Sequence, residues 1–265
     1  EMSASLVGSE MCIRDRMREA GKRLAHVHQE LEAMIAPGIS TWEIDAKGEK
    51  LIRDCGCIPN FLHYNGYPAS ICVSVNDEVV HGIPRKDRYL KEGDIVSLDA
   101  GLIYKGYHSD AARTHAVGKV STEAQKLMDV TKQSFFEGIK MAKEGQHLHD
   151  ISRAIEEYVT PYGYGIVRDL VGHGIGTALH EDPQIPNYAQ KRRGVRLQAG
   201  MTLAIEPMIN AGTWQVRFLR DGWTVVTKDG SLSAHYENTI LVTDGEPEIL
   251  TLYYCLLYTS PSPRD

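Results

Sequence analysis

The sequence predicts an α+β fold built as one compact domain. Two stretches with helical periodicity are followed by strand-like segments, and the same order recurs in the second half of the chain. No linker rich in Ser, Pro or Gly separates the halves, which favours one domain over two. The halves share no residue-level similarity, so a duplicated unit is inferred from the order of elements alone.

The first half begins with apolar residues at helical spacing from Met17, which predict a helix that a Pro-Gly pair ends. Ser40 followed by Glu43 is a capping box, and it predicts a second helix that ends near residue 54. A tight Lys-Gly turn at 105–106 predicts a hairpin. Strands are predicted at 71–75, 94–104 and 107–117.

The second half repeats this order with its own helices and strands. Helices are predicted at 122–143 and 148–162, and strands at 166–171, 202–209, 223–227 and 233–242. We expect Lys228, Asp229 and Gly230 to form the turn of the last hairpin.

The composition argues against a nucleic-acid partner. The net charge of −6 gives no global basic field, and the basic run at 191–193 is more often a solvated loop than a binding patch. No apolar run approaches the roughly 18 residues of a spanning helix, and the N-terminus lacks the apolar segment of a signal peptide. We therefore expect a cytoplasmic protein with no membrane partner.

The cysteines predict thiols rather than a disulfide framework or a zinc site. Five is an odd number, and Cys55 and Cys57 lack both the two-residue gap and the second half of a zinc knuckle. Both ends of the chain, 3–16 and 255–265, resemble translated sequencing-adapter read-through. We therefore expect residues 1–16 and 255–265 to be non-native and residues 17–254 to form the single domain.

Asp99 and Asp110 flank the predicted turn, so on paired antiparallel strands they fall nearly opposite each other. A one-residue slip in register would separate them. Each alone could be a surface aspartate beside a turn, but Asp99 stands among apolar neighbours, where an unpartnered carboxylate is costly.

His173 lies in a GHGIG segment after a predicted strand, and His180 follows seven residues later. Small neighbours let a backbone or a substrate approach His173 closely. The alternative is a structural histidine. A phosphate-binding loop is disfavoured because the glycine spacing is wrong and no P-loop lysine follows.

Glu206 and Glu237 each interrupt an apolar strand, and Pro207 ends regular pairing beside the first. Each alone could be a salt-bridged core charge. Four carboxylates and one imidazole that converge would repel one another, and two divalent cations are the remedy. An oxygen-rich set with one imidazole suits Mn, Fe, Co or Zn.

These residues lie in segments that closely resemble methionine aminopeptidases of type I. The resemblance covers about residues 17–252 and rests on NDEVVHGIP, LDAG, HSDAARTHAVG, GHGIG, IEPM and DGWTVVTKDGSLSAHYENT, in that order. It implies the pita-bread (creatinase/aminopeptidase) fold, with helix-helix-strand units related by a pseudo-two-fold axis around a curved antiparallel sheet. It also makes residues 17–254 a single catalytic domain.

The resemblance assigns the metal ligands. It implies that Asp99 binds one of two divalent cations and that Asp110 and Glu237 bridge both. His173 and Glu206 would complete the second site.

The resemblance also assigns the groups that act on the substrate. Glu206 would transfer protons, His81 would hold the peptide beyond the cut, and His180 would stabilise the tetrahedral intermediate. The methionine side chain would lie in a pocket of Tyr64, Tyr67, Cys72, Leu179 and Trp223. Asn65, Leu179 and His235 depart from the common pattern, and glutamine is frequent where His235 stands.

The implied reaction is removal of the N-terminal methionine from nascent proteins and peptides when the next residue is small. A hydroxide that bridges the metals would attack the first peptide carbonyl. The expected partners are nascent N-termini, with the ribosome as a further candidate, and the expected state is a monomer.

Two alternatives stay open at this point: an Xaa-Pro aminopeptidase or prolidase, and a non-catalytic pita-bread binding protein. Prolidase-like enzymes usually carry an extra N-terminal domain, and non-catalytic members typically lose metal ligands. The short spacing between Glu206 and Glu237 leaves no room for the helical insertion of type II enzymes.

Overall fold

The computed structural model describes residues 2–252, with side chains from Ile13 onward. The helices are α1 (Met2–Glu32), α2 (Thr41–Asp54), α3 (Thr122–Ile139) and α4 (Leu148–Val159), with short 3₁₀ helices at Tyr64–Gly66 and Thr160–Tyr162. None of the helices within residues 2–252 combines the length and the apolar content that crossing a membrane requires.

The strands between the helices are short, apart from one long hairpin. They are β1 (Ile58–Pro59), β2 (Ile71–Val75), β3 (Glu78–Val80), β4 (Ile95–Tyr104), β5 (Tyr107–Ala116), β6 (Gly165–Ile166), β7 (Gly172–Gly174), β8 (Glu181–Ile185), β9 (Thr202–Ile205), β10 (Met208–Asn210), β11 (Val216–Phe218), β12 (Val225–Thr227), β13 (Ser233–His235), β14 (Glu237–Leu241) and β15 (Glu248–Ile249).

The main sheet is antiparallel and joins the two halves of the chain. Its path is β1-β4-β5-β14-β9-β7-β8, with β2 paired to β4 and β15 paired to β14. Two smaller sheets, β13-β10-β6 and β11-β12-β3, adjoin it. This mixture of helices and antiparallel strands confirms the predicted α+β class.

Each half buries its own pair of helices against the main sheet. Leu24 and Leu31 of α1 and Ile44 of α2 pack with Leu98 of β4 in one core cluster. Residues of α3 and α4, among them Phe135, pack with the later strands in another. Ser40 caps α2 in the predicted capping box, because its hydroxyl accepts from the Glu43 N–H while the Glu43 carboxylate accepts from the Ser40 N–H.

Several predicted bounds are wrong. The first helix begins at Met2 and continues without a break through Met17. The helices predicted to end at 143 and 162 end as α-helices at Ile139 and Val159. The strand predicted at 166–171 is regular only at Gly165–Ile166, because β6 joins a small sheet and the chain must then cross to β7 in the main sheet.

Two long predicted strands are each divided where the chain changes sheet. The segment 202–209 divides into β9 and β10 at Glu206 and Pro207, and 233–242 divides into β13 and β14 at Tyr236. The turn at 228–230 forms, but β12 and β13 on its two sides belong to different sheets and make no hairpin. The cysteines within the described side chains, Cys55, Cys57 and Cys72, are free thiols as expected. The predicted tail at 255–265 lies outside the described residues.

Candidate active site

The five residues singled out from the sequence come from five neighbouring strands of the main sheet. In the spatial order β4, β5, β14, β9, β7 these strands carry, or are directly followed by, Asp99, Asp110, Glu237, Glu206 and His173. The sheet therefore brings together residues that lie far apart in the chain.

Register places these side chains on one face. Asp99 and Glu237 both pair with Ala112 across the two edges of β5, and Asp110 shares the face of Ala112 two residues away. On the other side, His173 pairs with Ala204, and Glu206 shares the face of Ala204 two residues away. Alternation along the strands thus points all five in the same direction.

The side chains converge closely enough to share cations. Ligand atoms of Asp110, His173 and Glu237 all lie within 4.8 Å of one another. The Nε2 atom of His173 lies 3.6 Å from Oε1 of Glu206 and 3.9 Å from Oδ2 of Asp110. Asp110, His173 and Glu237 are buried, and Asp99 and Glu206 are nearly so.

Burial raises the pKa of every carboxyl group in this cluster. The pKa of Asp99 rises to about 7, mainly because its charged form loses solvation. Burial, followed by the charge of Asp99, raises the pKa of both Asp110 and Glu206 well above the ordinary range. Burial and then Asp110 do the same for Glu237. The protein alone therefore does not compensate these charges.

A backbone carbonyl sets the tautomer of His173. Its Nδ1 lies 2.8 Å from the carbonyl oxygen of Gly174 and must carry the proton, because a carbonyl oxygen only accepts. Nε2 is then left with a free lone pair among the carboxylates, as a metal ligand requires. Gly174 needs to be glycine for a different reason, since a Cβ there would lie 2.3 Å from the carbonyl oxygen of Asp182.

His81 is held at the site by a tightly packed segment. Its φ of 59° is in the left-handed region, which is unusual for a residue with a side chain. A Cβ on the following Gly82 would lie 2.3 Å from the carbonyl oxygen of Val73, so the segment crosses β2 at contact distance. Burial, followed by the charge of His180, lowers the pKa of His81 to about 4. His81 is therefore neutral near pH 7.

His180 lies between an aromatic and an imidazole neighbour. Its Nδ1 is 2.8 Å from the hydroxyl of Tyr64, and its ring centroid is 4.3 Å from that of His173. Although the His180 side chain still reaches solvent, partial loss of solvation lowers its pKa as well.

The remaining predicted residues form an apolar wall beside the carboxylates. Cys72 pairs with Asp99 across β2 and β4 and therefore shares its face. The rings of Tyr67 and Trp223 meet edge to face with centroids 5.1 Å apart. All twelve predicted site residues line one cavity of about 250 Å³: Tyr64, Tyr67, Cys72, His81, Asp99, Asp110, His173, Leu179, His180, Glu206, Trp223 and Glu237.

Three further residues belong to this region. Phe61 and Asn65 complete the cavity lining. His235 is buried, and its Nε2 lies 3.7 Å from Oε2 of Glu206 and 4.0 Å from Oε2 of Glu237. Phe61 gives no sequence signal that separates it from an ordinary core aromatic, whereas Asn65 and His235 are noted in the sequence only as departures from a family pattern.

The residues present fit divalent cations. The Oδ1 atom of Asp99 and the Oε1 atom of Glu237 are buried and accept no hydrogen bond from the described side chains and backbone. Arg113 contributes one nearby cationic group, but its guanidinium donates to the carbonyl oxygen of Glu237 rather than to the carboxylate. Carboxylate oxygens with one imidazole nitrogen are suitable ligands for divalent Mn, Fe, Co or Zn. Cations from solution would satisfy both the unpaired oxygens and the excess negative charge.

Comparison with known proteins identifies the family. Residues 15–244 match the model of metallopeptidase family M24. The methionine aminopeptidase of Clostridium acetobutylicum is 54% identical over 236 residues, which cover 89% of this chain and 94% of that protein. The crystal structure of methionine aminopeptidase from Thermotoga maritima superposes with a TM-score of 0.89 at 46% identity, over 91% of this chain and 97% of that one.

The fold also extends to more distant enzymes. Prolidase from Pyrococcus furiosus superposes with a TM-score of 0.70 at 22% identity, and the match covers 92% of this chain but 64% of the prolidase. That likeness shows the shared pita-bread fold only. Together, the family match, the near-complete coverage and the high identity show that this chain belongs to metallopeptidase family M24, among the methionine aminopeptidases.

Proposed function

We propose that this chain is a two-metal hydrolase of type I that removes N-terminal methionine from peptides and nascent proteins when the next residue is small. One observation carries the proposal. A cluster of buried carboxylates with raised pKa values forms one wall of a cavity whose other wall is aromatic and apolar. A cationic centre and a thioether pocket therefore adjoin, as cleavage after methionine requires.

The proposed ligand roles follow the positions of the side chains. Asp99 would hold one ion, Asp110 and Glu237 would bridge two, and His173 and Glu206 would complete the second position. When bound, the ions would supply Lewis acidity to the scissile carbonyl and to the attacking water. Their identity among Mn, Fe, Co and Zn is left to experiment.

The chain's own groups would bind the peptide and move protons. Glu206 lines the cavity with the other proposed ligands, where its carboxylate would accept a proton from water and return it to the leaving amine. His180, at the cavity, would donate a hydrogen bond to the developing oxyanion. Neutral His81 would hold the peptide on the far side of the cut, and the apolar wall would exclude water from the methionine side chain.

The deciding experiment is turnover of Met-Ala-Ser by metal-stripped protein after Mn, Fe, Co or Zn is restored individually. We expect activity with at least one metal and much weaker cleavage of a matched peptide with a bulky second residue. Cleavage of an Xaa-Pro peptide in preference to Met-Ala-Ser would instead support the prolidase alternative. Absence of turnover with every metal would contradict the proposal.

The proposal also places the catalytic domain in residues 17–254 and treats residues 1–16 and 255–265 as non-native, because those ends resemble adapter read-through. Cytoplasmic location, a monomeric state and contact with the ribosome stay predictions.

A further inference from the structure

Two adjacent histidines at the site have different partners on the same ring atom. The Nδ1 atom of His173 faces the carbonyl oxygen of Gly174, which only accepts, whereas Nδ1 of His180 faces the hydroxyl of Tyr64. A hydroxyl can donate as well as accept. The tautomer of His180 is therefore decided by a side chain, and that of His173 by the backbone.

The partner of Nδ1 decides what Nε2 can do. A neutral imidazole has one donor and one acceptor nitrogen. If Tyr64 donates its hydroxyl hydrogen to Nδ1, the ring proton of His180 is on Nε2. If Tyr64 accepts, Nε2 presents only a lone pair and cannot donate to an oxyanion.

The local backbone holds Tyr64 in place for this contact. Its neighbours His63 and Asn65 both have positive φ values, 68° and 48°, which side chains rarely adopt. The turn is closed by hydrogen bonds from the His63 N–H to the Tyr67 carbonyl oxygen and from the Tyr67 N–H to the Tyr64 carbonyl oxygen, both 2.9 Å. Tyr64 thus reaches His180 from a fixed turn rather than from a free loop.

We propose that Tyr64 is a positioning residue that donates its hydroxyl hydrogen to Nδ1 of His180 and so keeps the ring proton on Nε2. There it can be donated to the oxygen of the tetrahedral intermediate. A phenol favours the donor role because its O–H is the stronger proton donor of the pair and a neutral imidazole nitrogen is the stronger acceptor. This inference rests on the proposed hydrolysis of methionyl peptides, and it gives Tyr64 a second role beyond lining the methionine pocket.

The first test reads the tautomer directly and needs no substrate. Side-chain ¹⁵N NMR of the metal-loaded full chain distinguishes protonation at Nδ1 from protonation at Nε2, and the His180 signals are assigned by their loss in His180→Ala. We expect the Nε2-protonated form in the parent protein and a mixture of tautomers in Tyr64→Phe, which removes only the hydroxyl. An Nδ1-protonated ring in the parent protein would overturn the inference.

The second test is a double-mutant cycle on Met-Ala-Ser turnover. Tyr64→Phe is expected to lower kcat about tenfold with KM changed less than about twofold, since one donor of an oxyanion hole contributes about 10² to 10³. In the His180→Ala background the same substitution should change kcat by less than about twofold, because its target is gone. An equal decrease in both backgrounds, or a rise in KM with unchanged kcat, would overturn the positioning role.

Tyr67→Phe is the matched control. Its hydroxyl donates to the carbonyl oxygen of Gly82 at 2.9 Å, so its removal should combine additively with His180→Ala. If the parent chain does not cleave Met-Ala-Ser at all, the proposed function fails, while the NMR experiment still decides the tautomer.

Discussion

Glu78 and Glu237 are both buried glutamates, yet the protein treats them differently. Glu78 accepts a hydrogen bond from the Val75 N–H at 2.7 Å and pairs with the guanidinium of Arg88. The Oε1 atom of Glu237 has no hydrogen-bond partner among the described residues, and Glu237 stands among other carboxylates. The fold supplies a cation where a buried carboxylate is structural. Beside Glu237 the guanidinium of Arg113 donates to a backbone carbonyl oxygen instead of the carboxylate, so the compensating charge would come from cations in solution.

The contrast between the two glutamates is tested most directly by removing a proposed metal ligand. His173→Ala should lower kcat/KM for Met-Ala-Ser by at least about a thousandfold, because Nε2 of His173 is the imidazole donor among the carboxylates. Loss of a residue that only hydrogen-bonds to a metal ligand typically costs about 10- to 100-fold. Bound metal should fall with it, as measured by elemental analysis. His26→Ala, on the exposed face of α1, is the control. Full activity in His173→Ala would refute the assigned role.

Removing the metal should make stability depend on pH in a defined direction. A carboxyl group with a raised pKa stabilises the folded state below its unfolded pKa, and this stability is lost as pH rises through the folded value. For Asp99 the window runs from its ordinary 3.8 to about 7. His81 and His173, with pKa values lowered to about 4, act oppositely between 4 and 6.5. Above pH 6.5 only the carboxyl groups contribute to the pH dependence of the stability.

The Tm of metal-stripped protein should therefore fall as pH rises from 6.5 to 8. The Tm gain on adding metal should grow over the same range, because metals bind the deprotonated ligands. Thermal melts with and without metal at each pH provide the measurement. A gain that is identical at pH 5 and pH 8 would mean that the cluster carries no such charge.

Substitutions at His235 test whether the group of buried polar atoms without hydrogen-bond partners extends beyond the carboxylates. Neither ring nitrogen has a hydrogen-bond partner among the described groups, and Nε2 is near two proposed ligands. His235→Leu should weaken metal binding about 10- to 100-fold, since it removes a polar group that can orient Glu206. His235→Gln keeps a donor and should stay within about threefold of the parent protein. Equal metal affinities for the two variants would show that His235 only fills space.

The smallest effect is expected at Glu78, whose carboxylate is already paired with Arg88. Arg88→Met should destabilise the protein by on the order of 2 kcal/mol, less than the 3 to 5 kcal/mol for a fully buried pair, because Arg88 is partly exposed. That corresponds to a Tm decrease of about 4 to 8 °C. Metal affinity should not change, and calorimetry with metal titration separates the two quantities. A loss of metal binding without a loss of stability would reverse the roles of the two glutamates.

The hairpin shows what the sequence could predict. The two-residue turn at Lys105 and Gly106 pairs Tyr104 with Tyr107, so Asp99 pairs with Ala112 and Asp110 with Gly101. The aspartates are therefore offset by two positions. They still share a face, because the side-chain period of a strand is two. The two aspartates therefore lie nearly opposite each other, as expected, and point to the same side of the sheet.

Long-range pairing is what the sequence could not predict. Glu206 and Glu237 lie where the chain leaves one sheet for another, and only the missing N–H of Pro207 signalled a break at the first of them. At Tyr236 no residue type marks the change of sheet. The choice of partner strand depends on tertiary packing, and for that reason the hairpin expected around 228–230 does not form.

Because the five clustered side chains come from five adjacent strands of both halves, the centre is assembled only when the sheet closes across β5 and β14. During translation, Asp99 leaves the ribosome long before Glu237 does, so a growing chain of this protein holds an incomplete, inert set of donors.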